Sequence, residues 1–165
     1  MRKHLYFICP TDCLETVIDS TFKNENYFYT SLGNSVVFNS QTLLQLKQIV
    51  RKHLITKVIF VLSDENYIIL DALENQKYEY ITGLRDFYQE MSTHKKYATV
   101  TSSTTNRAFY ILSHYLNIKI KELQFEFHQS FLDSVQISAK IYNKQGDTFS
   151  DIYPSLVCID KYCLN

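Results

Sequence analysis

Two short stretches of this chain carry the residue types that do chemistry. One is Cys9-Pro10-Thr11-Asp12-Cys13, and the other is Ser63-Asp64-Glu65-Asn66-Tyr67. A cysteine offers a thiolate nucleophile or a soft metal ligand, and paired carboxylates offer acid–base groups. Cys9-x3-Cys13 and Cys158-x4-Cys163 could combine into a four-cysteine zinc site, but both gaps are wider than the usual two residues. Cysteine also often simply packs. As a nucleophile, Cys9 would draw on a following helix N-terminus, which favours the thiolate. No Cys-His partnership is visible, because His4, His53, His94, His114 and His128 are scattered.

Each acidic candidate has an alternative structural role. Asp12 fits a helix N-cap with Glu15 three residues on, and Asp64 and Glu65 fit the favoured acidic start of a helix. Ser102 to Asn106, with Arg107, could hold an anion at a helix start, or serve as a polar cap and loop. No P-loop, dinucleotide fingerprint or metalloprotease motif is present. The catalytic candidates are therefore Cys9, Asp12 and Asp64, with Cys9 the metal candidate.

The surrounding pattern says what positions these groups. Leu5 to Cys9 is a continuous apolar run closed by Pro10, as in a buried parallel strand. A helix with Leu14, Val17, Ile18 and Phe22 on one face should follow. Tyr27 to Thr30 reads as a second strand, Gly33-Asn34 as a turn, and Val36 to Phe38 as a short extended piece. Ser40 can cap a helix carrying Leu43, Leu46, Ile49, Val50 and Leu54. Lys57 to Leu62 is the clearest strand, and Ser63 or Asp64 can cap a helix near Glu65 to Leu73.

Residues 78–92 have helical spacing, and Ser103 or Thr104 can start a helix through Leu116. After that, Ile118, Ile120, Leu123, Phe125 and Phe127 favour extended chain, as do Val135, Ile137, Ala139 and Ile141. Asn143 to Gly146 reads as a hairpin loop, with Phe149 to Tyr153 returning. The expectation is one α/β domain over residues 1–165, with a mainly parallel central sheet flanked by helices and an antiparallel C-terminal edge strand or hairpin. Ligands of such sheets sit beyond the carboxyl ends of the strands, where the two chemical stretches fall.

Bulk properties narrow the partners. The 17 basic and 17 acidic residues cancel, so no nucleic acid or anionic membrane is expected to be held by net charge. Basic clusters at Arg51-Lys52-His53 and His94-Lys95-Lys96 should each mark a helix end. No apolar run reaches the ~18 residues of a membrane span, and Leu5 to Ile8 is too short for a signal peptide core. A cytoplasmic location with reduced cysteines is the expectation. Thirteen Tyr and 11 Phe, with no Trp, fit either an AT-rich genome or an oligomer interface.

In their order along the chain, the segments Ile8-Cys9-Pro10-Thr11-Asp12, Tyr29 to Asn34, Val61 to Tyr67, and Ala139 to Gly146 resemble the β-class carbonic anhydrases. In that family the first strand ends in Cys-x-Asp-x-Arg, and the second leads to Arg-Asn-x-Gly-Asn. The third ends in Gly-His-x-x-Cys-Gly, and a late Gly-x-x-Tyr-Asp/Asn-x-x-x-Gly hairpin follows. The family's zinc is held by the first cysteine and by the His and Cys after the third strand. Cys9 matches the first ligand, but Asp64 and Tyr67 stand at the other two. Asp12 falls one place late, and the Arg is missing, with Cys13 near its place.

Zinc takes three or four protein ligands, and without it no water of low pKa forms. The resemblance thus implies a carbonic-anhydrase-like homologue lacking the catalytic zinc, non-catalytic or repurposed for binding or scaffolding, and a homo-oligomer, as a dimer. Two alternatives stand beside it. One is a zinc lyase hydrating CO2 with altered ligands. The other is an unrelated flavodoxin-like or Rossmann-like module binding a small ligand.

Overall fold

The two most apolar runs become the two central strands. In the computed structural model, which describes residues 2–101, 107–130, 132 and 134–154, β1 spans Lys3–Ile8 and β3 spans Lys57–Ser63. They pair in parallel, Leu5 opposite Val58 and Phe7 opposite Phe60. β2 (Glu25–Thr30) flanks β1, β4 (Gln136–Asn143) flanks β3, and the short β5 (Thr148–Asp151) runs antiparallel on β4. The order is β2-β1-β3-β4-β5. This matches the expected mainly parallel sheet with an antiparallel C-terminal hairpin.

Central strands are apolar throughout because both sheet faces are covered. On one face Leu5, Phe7, Val58, Phe60, Leu62, Ala139 and Ile141 belong to a core shared with four helices. These are α2 (Ser40–His53), α3 (Tyr67–Leu73), α4 (Arg85–Thr101) and α5 (Arg107–His128). On the other face Tyr6, Ile8, Ile59, Val61 and Tyr142 pack with Leu14 and Ile18 around α1 (Glu15–Thr21). Fully burying one such Leu, Ile or Phe side chain contributes about 1.5–3 kcal/mol. The alternation of the two sets fixes the register, since a one-residue slip would exchange the faces.

Several boundaries differ from the sequence pattern. The stretch Ile118 to Phe127 is helical, not extended. Leu112, Leu116, Ile120, Leu123 and Phe127 recur every three or four residues and are buried, whereas Phe125 is exposed. The helix expected over 78–92 begins at Arg85, after a 3-10 turn at Thr82–Leu84 that contains Gly83. His94-Lys95-Lys96 consequently lies inside α4 rather than at its end. Arg51-Lys52-His53 does form the last turn of α2. Val36 to Phe38 is not a strand; Val36 turns into the core while Val37 faces outward.

Helix starts moved as well. α2 is capped by Asn39, whose side chain accepts from the Thr42 amide, not by Ser40. α3 is capped by Asn66, whose Oδ1 accepts from the Ile69 amide at 2.9 Å, not by Ser63 or Asp64. The Ser103 or Thr104 helix start, and Cys158 and Cys163, lie outside the described residues. No helix among the described residues is long and apolar enough to cross a membrane.

Candidate functional site at the strand ends

The carboxyl ends of β1 and β3 lie side by side because the two strands pair. Cys9 follows β1 directly and is fully buried. Its sulfur accepts the Gly33 amide N–H at 3.1 Å and shares a hydrogen bond with the Thr11 hydroxyl at 3.0 Å. Gly33 adopts φ +58°, and a Cβ there would meet Phe87 Cζ at 3.0 Å and Ile68 Cγ2 at 3.2 Å. Glycine therefore allows both the left-handed turn and the close approach.

The turn is anchored from two further directions. The Tyr115 hydroxyl, on α5, lies 3.1 Å from the Gly33 carbonyl oxygen and 2.9 Å from that of Asn34. Burial pushes the Tyr115 phenol well above its ordinary 10.0, so it stays a donor. The buried Asn34 amide donates to the Phe7 carbonyl at 3.3 Å and the Val61 carbonyl at 3.0 Å, bridging β1 and β3.

Asp12 does not cap α1, contrary to its capping-box spacing. The residue before α1 is Leu14, and no side chain caps that helix. A 3-10 turn at Pro10–Asp12 swings the Asp12 carboxylate towards the end of β3. There it accepts the Ser63 amide N–H at 2.9 Å and the Asn66 side-chain amide at 2.8 Å. Burial raises the Asp12 carboxyl above its ordinary 3.8, and these two hydrogen bonds oppose the rise.

Asp64 faces the β4–β5 hairpin. Its carboxylate accepts the Asn143 side-chain amide at 2.7 Å and the Lys144 amide N–H at 3.2 Å. Glu65 lies 4.0 Å from Lys144. Tyr67 is exposed, and its hydroxyl meets that of Tyr78 at 3.1 Å. Cys13 is exposed with φ 52°, and its thiol donates to the Pro10 carbonyl at 3.5 Å.

The chain therefore brings Cys9 and Asp12 to neighbouring strand ends, but it engages each with a different set of partners. Cys9 holds the Gly33 turn, Asp12 holds Ser63 and Asn66, Asp64 holds the hairpin, and Tyr67 pairs with Tyr78. No three His, Cys, Asp or Glu side chains group as a metal site among the described residues. The donor set at Cys9, Asp64 and Tyr67 offers one sulfur, a carboxylate turned to the β4–β5 hairpin and an exposed phenol paired with Tyr78, so these residues do not fit a zinc ion. The roles of Asn143, Thr11 and Tyr115 emerge only in three dimensions. Asn66 had a local signal, an Asn directly before the apolar Tyr67 to Leu70 stretch. Tyr115 had none, since its partners lie about eighty residues away.

No protein-family model and no curated protein matches this sequence. Solved structures do. The β-carbonic anhydrase CafD of Aspergillus fumigatus has a TM-score of 0.72 and 15% identity over 93% of this chain and 90% of that one. A tetrameric β-carbonic anhydrase of Sordaria macrospora has a TM-score of 0.73 and 13% identity over 95% and 81%. CafA of Aspergillus fumigatus has a TM-score of 0.70 and 14% identity over 92% and 75%. Flavodoxin-like sheets share the strand order, but their fifth strand is parallel, whereas β5 here is antiparallel. With its strand order, its antiparallel edge and these likenesses, the chain has the β-carbonic anhydrase fold.

Proposed function

We propose that this chain is a β-carbonic-anhydrase-like domain without the catalytic zinc, acting through binding or scaffolding rather than CO2 hydration. The observation that carries this reading is Tyr67, which at the third ligand position is an exposed phenol paired with Tyr78. The thiol at the first ligand position is used to hold a turn. Support comes from Asp64, whose carboxylate is taken by Asn143 and Lys144. The domain would act as a homo-oligomer, as the tetrameric Sordaria protein suggests, in a reducing cytoplasm that keeps Cys9 and Cys13 free.

The test is metal analysis of the purified chain together with stopped-flow CO2 hydration. The expected result is zinc far below stoichiometric and no hydration above the uncatalysed rate. Stoichiometric zinc with CO2 hydration that Cys9→Ser abolishes would overturn the reading.

A further inference from the structure

We propose that the outer edge of β2 is a contact between two copies of this chain, in which β2 pairs antiparallel with β2 of a second copy about a two-fold axis at Phe28. β2 ends the sheet, and no described strand pairs with its outer side. The ladder to β1 fixes which groups face out. The Glu25 N–H donates to the Arg2 carbonyl and the Ser31 N–H to the Ile8 carbonyl, each at 3.1 Å. Odd-numbered residues therefore turn their peptide groups to β1, and Asn26, Phe28 and Thr30 turn theirs outward. β2 also lacks the devices that keep an edge single. It has six residues with one charge, at Glu25, and no Pro, Gly or Lys. The opposite edge, β5, has four residues, mostly exposed, and ends in Asp151, ion-paired with Lys140. An edge as long, aromatic and unblocked as β2 invites another strand.

The strand's own sequence selects the occupant. Antiparallel pairing sets outward-facing residues opposite one another. With the axis at Phe28, Phe28 meets Phe28 and Asn26 meets Thr30 at both ends, so every outward N–H and C=O of the strand is used. Between them Tyr27 falls opposite Tyr29, and Glu25 opposite Ser31. Shifting the axis by one residue leaves Asn26 or Thr30 outside the ladder. Cross-strand aromatic pairs are among the stabilising ones, and no like charges are opposed, because the two Glu25 carboxylates lie at opposite ends of the contact. The rings are already held in place: Tyr27 lies 4.5 Å from the His53 ring and Tyr29 4.9 Å from that of Phe7, centre to centre. A strand from another protein must carry the same alternation to fit, whereas a second copy carries it by identity, and the two-fold closes the assembly. This inference rests on the homo-oligomer part of the reading above and is independent of zinc.

The test is sedimentation velocity of the full chain over a range of concentrations, which should show a dimer or an assembly of dimers. Thr30 is exposed and its N–H faces away from β1, so Thr30→Pro keeps the β1 ladder and removes an outward donor from each copy. It should weaken association about tenfold or more, with an unchanged circular dichroism spectrum. Cross-linking reads the register without that variant. In a Cys13→Ser background, Phe28→Cys should form a disulfide between copies under mild oxidation, because the axis sets position 28 opposite itself at a Cα separation of about 5.5 Å. Asn26→Cys should cross-link only when mixed with Thr30→Cys. A monomer at every concentration would overturn this contact and the homo-oligomer reading together. An oligomer that Thr30→Pro leaves unchanged, with no cross-link at position 28, would overturn the contact alone and leave that reading standing.

Discussion

The Gly33 amide donates to the Cys9 sulfur across 3.1 Å, joining the end of β1 to a turn twenty-four residues further on. Both groups are buried, so neither can exchange its partner for water. Removing the acceptor leaves an unpaired buried N–H, which costs about 1–3 kcal/mol. Cys9→Ala should lower the urea midpoint accordingly, while Cys9→Ser, which keeps an acceptor, should lose less. Equal losses for the two would show that packing of the sulfur, not its hydrogen bond, matters.

Gly33→Ala tests the same turn from the other side. It must hold an L residue at φ +58° and place a Cβ 3.0 Å from the Phe87 ring. The left-handed conformation alone costs about 1–2 kcal/mol, and the contact adds to it. Tyr115→Phe should cost a further ~1–3 kcal/mol by stripping the hydroxyl from the Gly33 and Asn34 carbonyls. Because Gly33 and Tyr115 share one turn, the double variant should lose less than the sum of the singles in a denaturation cycle.

Asp12 predicts a pH dependence. Its folded pKa is raised by burial, so the folded state holds this proton more tightly than the unfolded chain does. The stability contributed by the protonated form is complete below the ordinary value of 3.8 and is lost as pH rises through the higher folded value. Asp12→Asn should remove this slope from urea titrations run between about pH 3 and 7. It should also lower stability at neutral pH, because an amide cannot accept from both Ser63 and Asn66. A variant with the parent's full pH slope would assign that slope to other groups.

Asp64 is a clamp on the β4–β5 hairpin. Asp64→Ala frees the Asn143 side chain and the Lys144 amide. Hydrogen exchange at residues 143–148 should speed up while the central strands keep their protection. The global cost should stay near ~1 kcal/mol, since these groups can turn to water.

The sheet was legible because its signal is local. Leu5 to Ile8 and Val58 to Leu62 are apolar on both faces, and only a strand covered on both sides needs that. Ile118 to Phe127 suggests extended chain because Ile118-x-Ile120 and Phe125-x-Phe127 each mimic a period of two. The longer series from Leu112 to Phe127 follows the helical period and decides the matter through burial against the sheet. Asp12 misled for a related reason. Its spacing to Glu15 satisfies a capping rule, but the Pro10 turn and the proximity of Ser63 offered its carboxylate better-placed donors. Apart from Thr11 beside Cys9, the partners of Cys9, Asp12 and Asp64 come from distant segments or from the third strand, so no window of sequence could reveal them.

The strand order also sets a timetable for biosynthesis. β1, β2 and β3 leave the ribosome first and pair among themselves, leaving the outer side of β3 bare. Its true neighbour, β4, arrives only after α3, α4 and α5, roughly eighty residues later, and closing so long a loop is slow. In that interval Val58 to Leu62 presents an apolar, unpaired edge of the kind that seeds aggregation. Production of this protein should therefore be limited by how quickly its last hairpin docks, and a chaperone that shields the bare side of β3 should raise its soluble yield.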